Sequence, residues 1–290
     1  MLAVTLNLLE SVAMFSVVIP AHNEGAVITR CLDALTTGLN EDVEIVVVCN
    51  GCSDNTAELA RAFKQVEVYE LDVPSKVNAI NFAELQVSAF PRIYVDSDLI
   101  ITGAELERIA SYLRNDGAMA VAPRMIIDES RSSWPVKAYH RVWKRLPYYA
   151  SRLGGVFGLS EQARSRFHHF PQIIADDAFV RAQFSQDERL VPDDCSFTAI
   201  APFNLRDLIK IKTRSRFGNV ELKEKFPELA YAQDNSSGSL VGLIAKSPWL
   251  LPSIFVYVYV NFRIRLGVRK RLRNRDYSTW ERDESSRPKS

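Results

Sequence analysis

Over residues 15–100 the sequence alternates between two periodicities, and this alternation constrains the fold more than any other feature. FSVVIPA (15–21), EIVVVCN (44–50) and RIYVDSDLI (92–100) are short runs with the β-branched content of buried strands, and VEVYEL (66–71) reads as a further strand. Between them lie helical patterns. Ala26, Val27, Ile28, Cys31, Leu32 and Leu35 recur at helical spacing before Gly38, and AELARAFK (57–64) and KVNAINFAELQ (76–86) read the same way. Such alternation predicts a Rossmann-like α/β fold, a mostly parallel mixed sheet flanked by helices. Sheets of this kind bind ligands outside the carboxyl ends of their strands. Polar clusters fall at those ends: Ala21 to Glu24, Asn50 to Asp54, and Asp96 to Asp98. They outline one crevice and mark 15–100 as a nucleotide-binding half. Neither GxGxxG nor GxxxxGK[ST] is present, so a classical dinucleotide site and a P-loop are not supported.

Residues 101–232 are more mixed and complete the domain as an acceptor half. GAELERIASYLRND (103–116) is an amphipathic helix, AMAVAPRMI (118–126) a strand, and GGVFGLS (154–160) a strand with close backbone approach at its glycines. WPVKAYHRVWKRLPYYA (134–150) gathers Trp134, Tyr139, Trp143, Tyr148 and Tyr149, suited to a sugar, a lipid or the core. ERLVPDDCSFTAIAPFN (188–204) suggests another strand or two, and LRDLIKIKTRSRFGN (205–219) is a basic segment ending in glycine. QDNSSGS (233–239) has linker composition. After it an apolar stretch, Pro248 to Phe262, leads into Arg263, Arg265, Arg269, Lys270, Arg271, Arg273 and Arg275. The apolar stretch is short for a bilayer span. Beside a basic cluster it suits the surface of an anionic membrane, the alternative being a core-packed helix with a solvated basic end. Residues 233–275 thus form a linker and membrane-associating helical extension. Residues 1–14 form an N-terminal extension without the basic start of a secretory signal, and 276–290 a disordered tail.

The 36 basic and 35 acidic residues nearly cancel, which gives no case for nucleic acid as a partner. Cys49 and Cys52 form a C-x-x-C, but no second ligand pair exists for zinc, and the pair follows a strand instead of opening a helix. Reduced thiols in a cytoplasmic protein are the expectation.

Asp96 and Asp98 carry the chemistry of the crevice. In a strand, residues i and i+2 share a face about 6–7 Å apart, so two like charges would sit together near a core. A divalent cation bridging a substrate diphosphate would compensate them, and hard oxygen ligands suit Mg²⁺ or Mn²⁺. A turn open to water would also accommodate them. A second pair, Asp176 and Asp177, can supply a general base or occupy a helix N-terminus. Arg214 and Arg216 can bind a diphosphate or form a solvated basic face.

The ordered set FSVVIPAHNE, VVVCNGCSDNT, SKVNAIN, YVDSDL, GGVFGLS, ADDAF and RSRFG resembles the inverting family 2 glycosyltransferases of the GT-A fold, over residues 15–219. The resemblance implies that Pro20, Ala21, His22 and Glu24 contact the nucleotide. It implies that Asn50, Gly51 and Asp54 touch base and ribose, with Asn50 where the family usually has aspartate. Lys76, in SKVNAIN, matches a G-K-x-x-A-L-N segment with Ser75 in place of the glycine. Asp98 is implied as the direct metal ligand, with Asp96 contacting the nucleotide sugar or ordering the metal's waters. Asp177 is implied as the catalytic base and Asp176 as a group that orients the acceptor. Arg214 and Arg216 would assist the departing diphosphate, with Phe217 in place of a tryptophan.

The implied activity is metal-dependent transfer of a sugar from a nucleoside-diphosphate donor to an acceptor hydroxyl, with inversion. The cofactor is Mn²⁺ or Mg²⁺. The acceptor is a glycan or lipid-linked molecule, in synthesis of a lipid-linked or cell-surface glycan. The location is cytoplasmic, peripheral at the inner face of a membrane. The alternatives are a retaining sugar transferase or a nucleotidyltransferase on a similar fold, and a non-catalytic sugar-nucleotide-binding protein.

Overall fold

The computed structural model describes residues 14–115, 117–146, 149, 154–229 and 240–274. The expectations for the N-terminal extension, for Tyr148, for the QDNSSGS linker and for the tail fall outside these residues.

Four strands run parallel: β1 (Phe15–Ala21), β2 (Val43–Asn50), β3 (Val66–Leu71) and β4 (Arg92–Val95). They are joined by α1 (Ile28–Thr36), α2 (Thr56–Arg61) and α3 (Lys76–Ala83). After α4 (Gly103–Asn115) come β5 (Ala120–Val121), β6 (Arg124–Asp128), α5 (Trp134–Trp143) and β7 (Val156–Leu159). Then follow α6 (Glu161–Arg164), α7 (Asp176–Ala182), β8 (Arg189–Leu190), β9 (Ser196–Ile200) and α8 (Leu205–Lys225). The helices α9 (Leu240–Lys246) and α10 (Leu251–Asn274) close the described chain. The main sheet has seven strands in the order β3-β2-β1-β4-β7-β5-β8, while β6 and β9 pair in a separate parallel ribbon. In the main sheet β7 is antiparallel to both β4 and β5. The sheet is therefore mixed.

The central strands are buried on both faces, as their unbroken apolar runs require. Phe15, Val17 and Ile19 pack with α1 and α4 on one side. Val18, Val46 and Val48 pack with α3 on the other. A third cluster lies outside the sheet, where Tyr139 and Trp143 of α5 pack with Phe217 of α8 and Val260, Ile264 and Val268 of α10. The C-terminal helix is thus anchored on the domain by one face.

Three elements differ from their sequence expectation. The fourth strand ends at Val95 instead of Ile100, because Asp96 to Leu99 form a turn closed by Leu99 N–H donating to the Asp96 carbonyl at 3.1 Å. The two aspartates therefore leave the sheet instead of sharing a strand face in the core. The segment 118–126 splits at Pro123 into β5 and β6, which belong to different sheets. Proline has no N–H to continue the first ladder. Finally, α8 continues through Gly218 to Lys225. A Cβ at Gly218 would lie 3.0 Å from the Ile174 Cβ, so close packing, and not a helix stop, explains that glycine.

Candidate functional site

A cavity of about 430 Å³ opens at the carboxyl ends of β1, β2 and β4. Here the chain reverses direction across the sheet, with β2 on one side of β1 and β4 on the other. Residues 15–100 contribute Pro20, His22, Glu24, Asn50, Lys76, Asp96 and Asp98 to its lining, and the later part of the chain contributes Asp176, Asp177 and Arg214. Both acidic pairs thus face one space, although about 80 residues separate them in sequence.

The first two strand-end loops are laced together. The Asn50 side chain donates through Nδ2 to the Ala21 carbonyl at 2.7 Å and accepts at Oδ1 from Ser75 N–H at 2.9 Å. Its amide ties β1 to the start of α3. His22 Nδ1 lies 2.5 Å from the Asn50 carbonyl. A carbonyl only accepts, so Nδ1 carries the proton. Asn23 has a left-handed backbone, φ 51°, and its Oδ1 accepts from Ser53 N–H at 2.6 Å. Gly51, at φ 58°, lies where a Cβ would come within 2.8 Å of Pro74.

Lys76 sits between the two acids. Its Nζ lies 2.8 Å from Asp96 Oδ1 and 2.9 Å from Asp176 Oδ2, and donates to Asp176 Oδ1 at 3.1 Å. Ser75 caps α3 by accepting from Asn78 N–H at 3.2 Å, which fixes the first turn carrying Lys76. Burial disfavours the ammonium, but the carboxylates of Asp176 and Asp96 outweigh it, and the Lys76 pKa lies above the ordinary lysine value. Burial pushes the Asp176 carboxyl up to about 6, helped by the charges of Asp177 and Asp96 and opposed by Lys76.

Asp176 and Asp177 open α7, where the helix dipole favours acids. The segment leading to them is held from two sides. On the α3 side, Asn81 and Phe170 exchange two hydrogen bonds of 2.9 Å, and Gln172 Nε2 donates to Asn78 Oδ1. On the α8 side, buried Glu221 accepts from Ile174 N–H at 2.9 Å, and Lys225 bridges Glu221 to the Gln172 carbonyl.

Four residues proposed from the sequence do not line the cavity. Ala21 is buried and contributes its carbonyl to Asn50. Gly51 shapes the turn. Asp54 directs Oδ2 to Gly25 N–H at 3.0 Å and Oδ1 to Thr56, knitting the loops. Arg214 and Arg216 diverge because residues two apart on a helix point to different faces. Arg214 turns inward with Ile211 and Ser215, while Arg216 is exposed and sits near Tyr257. Of the aromatic segment, Tyr139 and Trp143 are core residues, whereas Trp134 is 58% exposed.

The cavity wall also includes residues not singled out beforehand: Leu99, Met125, Ile174, Phe197, Ala199 and Ile211. Phe197 and Ala199 alternate along β9, so period-two reading of SFTAI places them on one face.

Asp96 and Asp98 suit a divalent cation as hard oxygen donors at the cavity edge. Among the described residues no group of three or more His, Cys, Asp or Glu converges as a ligand set. An ion here would complete its shell with substrate phosphate oxygens and water, the usual habit of Mg²⁺.

The model of the glycosyl transferase family 2 matches residues 16–167. A mannosyltransferase from Pyrobaculum calidifontis, solved with GDP-Man and Mn²⁺, aligns at 17% identity and TM-score 0.59, covering 89% of this chain and 80% of that one. Glucosyl-3-phosphoglycerate synthase from Mycobacterium tuberculosis, solved with Mn²⁺, UDP and glucosyl-3-phosphoglycerate, aligns at 18% identity and TM-score 0.54, covering 72% of this chain and 78% of that one. No curated protein sequence matches. At these identities the likeness to solved structures concerns the fold, which is GT-A.

Proposed function

We propose, from the premise that this chain belongs to glycosyl transferase family 2, that it moves a sugar from a nucleoside-diphosphate donor to an acceptor hydroxyl with inversion. One observation carries the reading: Asp96 and Asp98 from the nucleotide half and Asp177 from the other half line the same cavity. The donor nucleotide lies along the β1 and β2 loops, with His22, Glu24 and Asn50 beneath it. Asp98 and Asp96 would hold Mn²⁺ or Mg²⁺, which would supply charge neutralisation for a departing diphosphate. Arg214 adds a fixed positive charge on the opposite wall. Asp177 takes the proton from the acceptor hydroxyl, and that oxygen displaces the diphosphate from the far face of the anomeric carbon. Asp176, held by Lys76, orients the acceptor and keeps the neighbouring carboxylate in place.

The GDP-Man and UDP complexes of the two similar structures support a guanosine or uridine diphosphate donor and a divalent ion. A thermal-shift screen of UDP- and GDP-sugars, with and without Mn²⁺, tests this. Stabilisation only in the presence of metal identifies the donor. Asp177→Asn is expected to abolish transfer while leaving metal-dependent nucleotide binding intact; a fully active variant would remove Asp177 from the base role. Release of diphosphate instead of nucleoside diphosphate would favour a nucleotidyltransferase. Retention in the product would favour the retaining alternative.

The acceptor is a glycan or lipid-linked molecule, and the protein works peripherally at the cytoplasmic face of a membrane. The outer face of α10 supports this part. Leu251, Phe255, Val258, Tyr259, Phe262 and Leu266 are exposed at helical spacing, with Phe255 77% exposed. Arg263, Arg265, Arg269, Lys270 and Arg273 are exposed beside and beyond them. No helix among the described residues is long and apolar enough to cross a membrane. Co-sedimentation with anionic phospholipid vesicles is expected, weakened by salt and by Phe255→Ser with Phe262→Ser. A wild-type protein that stays in the supernatant would exclude this arrangement.

A further inference from the structure

The two cysteines of the C-x-x-C lie within the loop lacing at the cavity, and the reading above assigns them nothing. Cys49 is the penultimate residue of β2 and is buried; Cys52 follows the Gly51 turn and is partly open to solvent. Cys52 packs against the cluster that contains Cys49, and the two thiols are hydrogen-bonded to each other. Cys52 also holds the neighbouring loop. Its Sγ accepts from Asn23 N–H at 3.3 Å and lies 3.6 Å from the Ala21 carbonyl. Asn23 is the left-handed residue whose side chain receives Ser53 N–H, so the sulfur is one of the ties on a strained backbone.

We propose that Cys49 and Cys52 are a reversible thiol–disulfide pair, oxidised by hydrogen peroxide, whose closure unties the β1 loop and weakens nucleotide binding. The effect on nucleotide rests on the proposed donor site; formation of the bond does not. The Cys49 thiol and the Asn23 N–H, both donating to the Cys52 sulfur, lower its pKa against burial and the charge of Asp54, which favours the thiolate that reacts with peroxide. Cys49 is held well above the ordinary thiol value, chiefly by that hydrogen bond and by burial, and keeps its proton. A partly exposed thiol of lowered pKa beside a buried thiol of raised pKa is the arrangement of a peroxide-reactive cysteine with its resolving cysteine.

The Cys52 thiolate attacks one peroxide oxygen. The O–O bond breaks, hydroxide leaves, and the sulfur becomes a sulfenic acid, oxidised by two electrons. The Cys49 sulfur then attacks the Cys52 sulfur. The S–S bond forms as the S–O bond breaks, and the departing hydroxide takes the Cys49 proton as water. Hydroxide from the first step is protonated from solvent, so two thiols and one peroxide give one disulfide and two waters once the initial thiolate proton is counted. The Cys52 sulfur, turned toward Cys49, no longer accepts from Asn23 N–H. His22 and Glu24, which flank Asn23 and line the cavity, keep their own ties to the Asn50 carbonyl and to Thr56 but lose the anchor between them, and so gain mobility. A dithiol reductant reverses the change.

The test uses the full chain with and without a stoichiometric pulse of hydrogen peroxide. Peptide mass spectrometry is expected to find a Cys49–Cys52 disulfide removed by dithiothreitol. Hydrogen exchange is expected to rise in 21–25 and 50–56 of the oxidised form. Affinity for UDP or GDP with Mn²⁺ is expected to fall about tenfold, the scale of one or two lost hydrogen bonds. Each variant is compared with its own untreated form: Cys49→Ala, which also removes the hydrogen bond that activates Cys52, should trap sulfenic acid on Cys52 more slowly and more readily at raised pH, detectable with dimedone, and Cys52→Ser should lose the response. Unreacted thiols, or a disulfide that leaves hydrogen exchange unchanged, overturn the proposal. A disulfide with increased exchange in a protein that binds neither nucleotide when reduced would uphold the thiol pair and count against the donor reading instead.

Discussion

Replacing Lys76 with methionine isolates the electrostatics that hold the two halves of the cavity together. The ammonium lies between Asp96, whose side chain is 36% exposed, and Asp176, whose side chain is 5% exposed. Removing it strands the Asp176 charge, and the cheapest relief is protonation. Because the Asp176 pKa is already near 6, neutralising it at pH 7.5 costs about 2 kcal/mol, at about 1.4 kcal/mol per pH unit. The more open Asp96 contact adds about 1 kcal/mol. Lys76→Met is therefore expected to lose about 3 kcal/mol at pH 7.5, or about 6 °C in Tm for a domain of this size. The sign of the pH dependence follows from the direction of the shift. A carboxyl whose folded pKa is raised from 3.8 to about 6 contributes stability that is full below the lower value and lost as pH rises through the higher one. At pH 5.5 Asp176 is largely protonated already, and the penalty should shrink to about 1 kcal/mol. Thermal melts of the wild type, Lys76→Met and the double variant Lys76→Met with Asp176→Asn, at both pH values, provide the measurement. The double variant should recover about 2 kcal/mol at pH 7.5 and lose the pH dependence, because both partners are then neutral. An equal loss at the two pH values, or a double variant no more stable than the single one, would refute this account.

The other perturbations address single contacts. Asn50→Asp places a carboxylate oxygen against the Ala21 carbonyl, where Nδ2 now donates at 2.7 Å; melts should show a loss of about 1–3 kcal/mol at neutral pH, partly regained in acid as the carboxyl takes a proton. Undiminished stability would show that the amide does not tie these loops. Gly218→Ala should lower Tm, although alanine ordinarily favours a helix by about 1 kcal/mol over glycine, because the added Cβ meets Ile174 at 3.0 Å. A rise in Tm would mean that the acid-bearing segment yields.

Much of residues 15–100 was legible because the signals there are local. VEVYEL is β3 from Val66 to Leu71, a half-exposed edge strand, and β1 spans FSVVIPA, buried along its whole length; in both, short β-prone runs between turn residues leave little choice of bounds. The acidic pairs were legible as chemistry, but not as geometry. YVDSDLI reads as one apolar strand with a fault, whereas the chain turns after Val95 and relieves the fault by leaving the sheet. Arg214 and Arg216 look like a pair in RSRFG because spacing in sequence hides the angular divergence of residues on a helix. Glu221 and Gln172 carried no signal at all. Each looks like a surface polar residue until α8 and α3 are brought against the segment before Asp176. Contacts of this kind depend on where helices dock, and a single sequence does not encode that locally.

The separate β6–β9 ribbon has a consequence for how such an enzyme diversifies. Met125, Phe197 and Ala199 reach the cavity from this ribbon, and none of its ladder bonds belongs to the seven-stranded sheet. Exchanging 124–128 and 196–200 as one cassette between relatives would remodel this wall of the cavity while leaving the main sheet its own register. Duplicated copies of the gene could change the girth of the cavity through this patch alone.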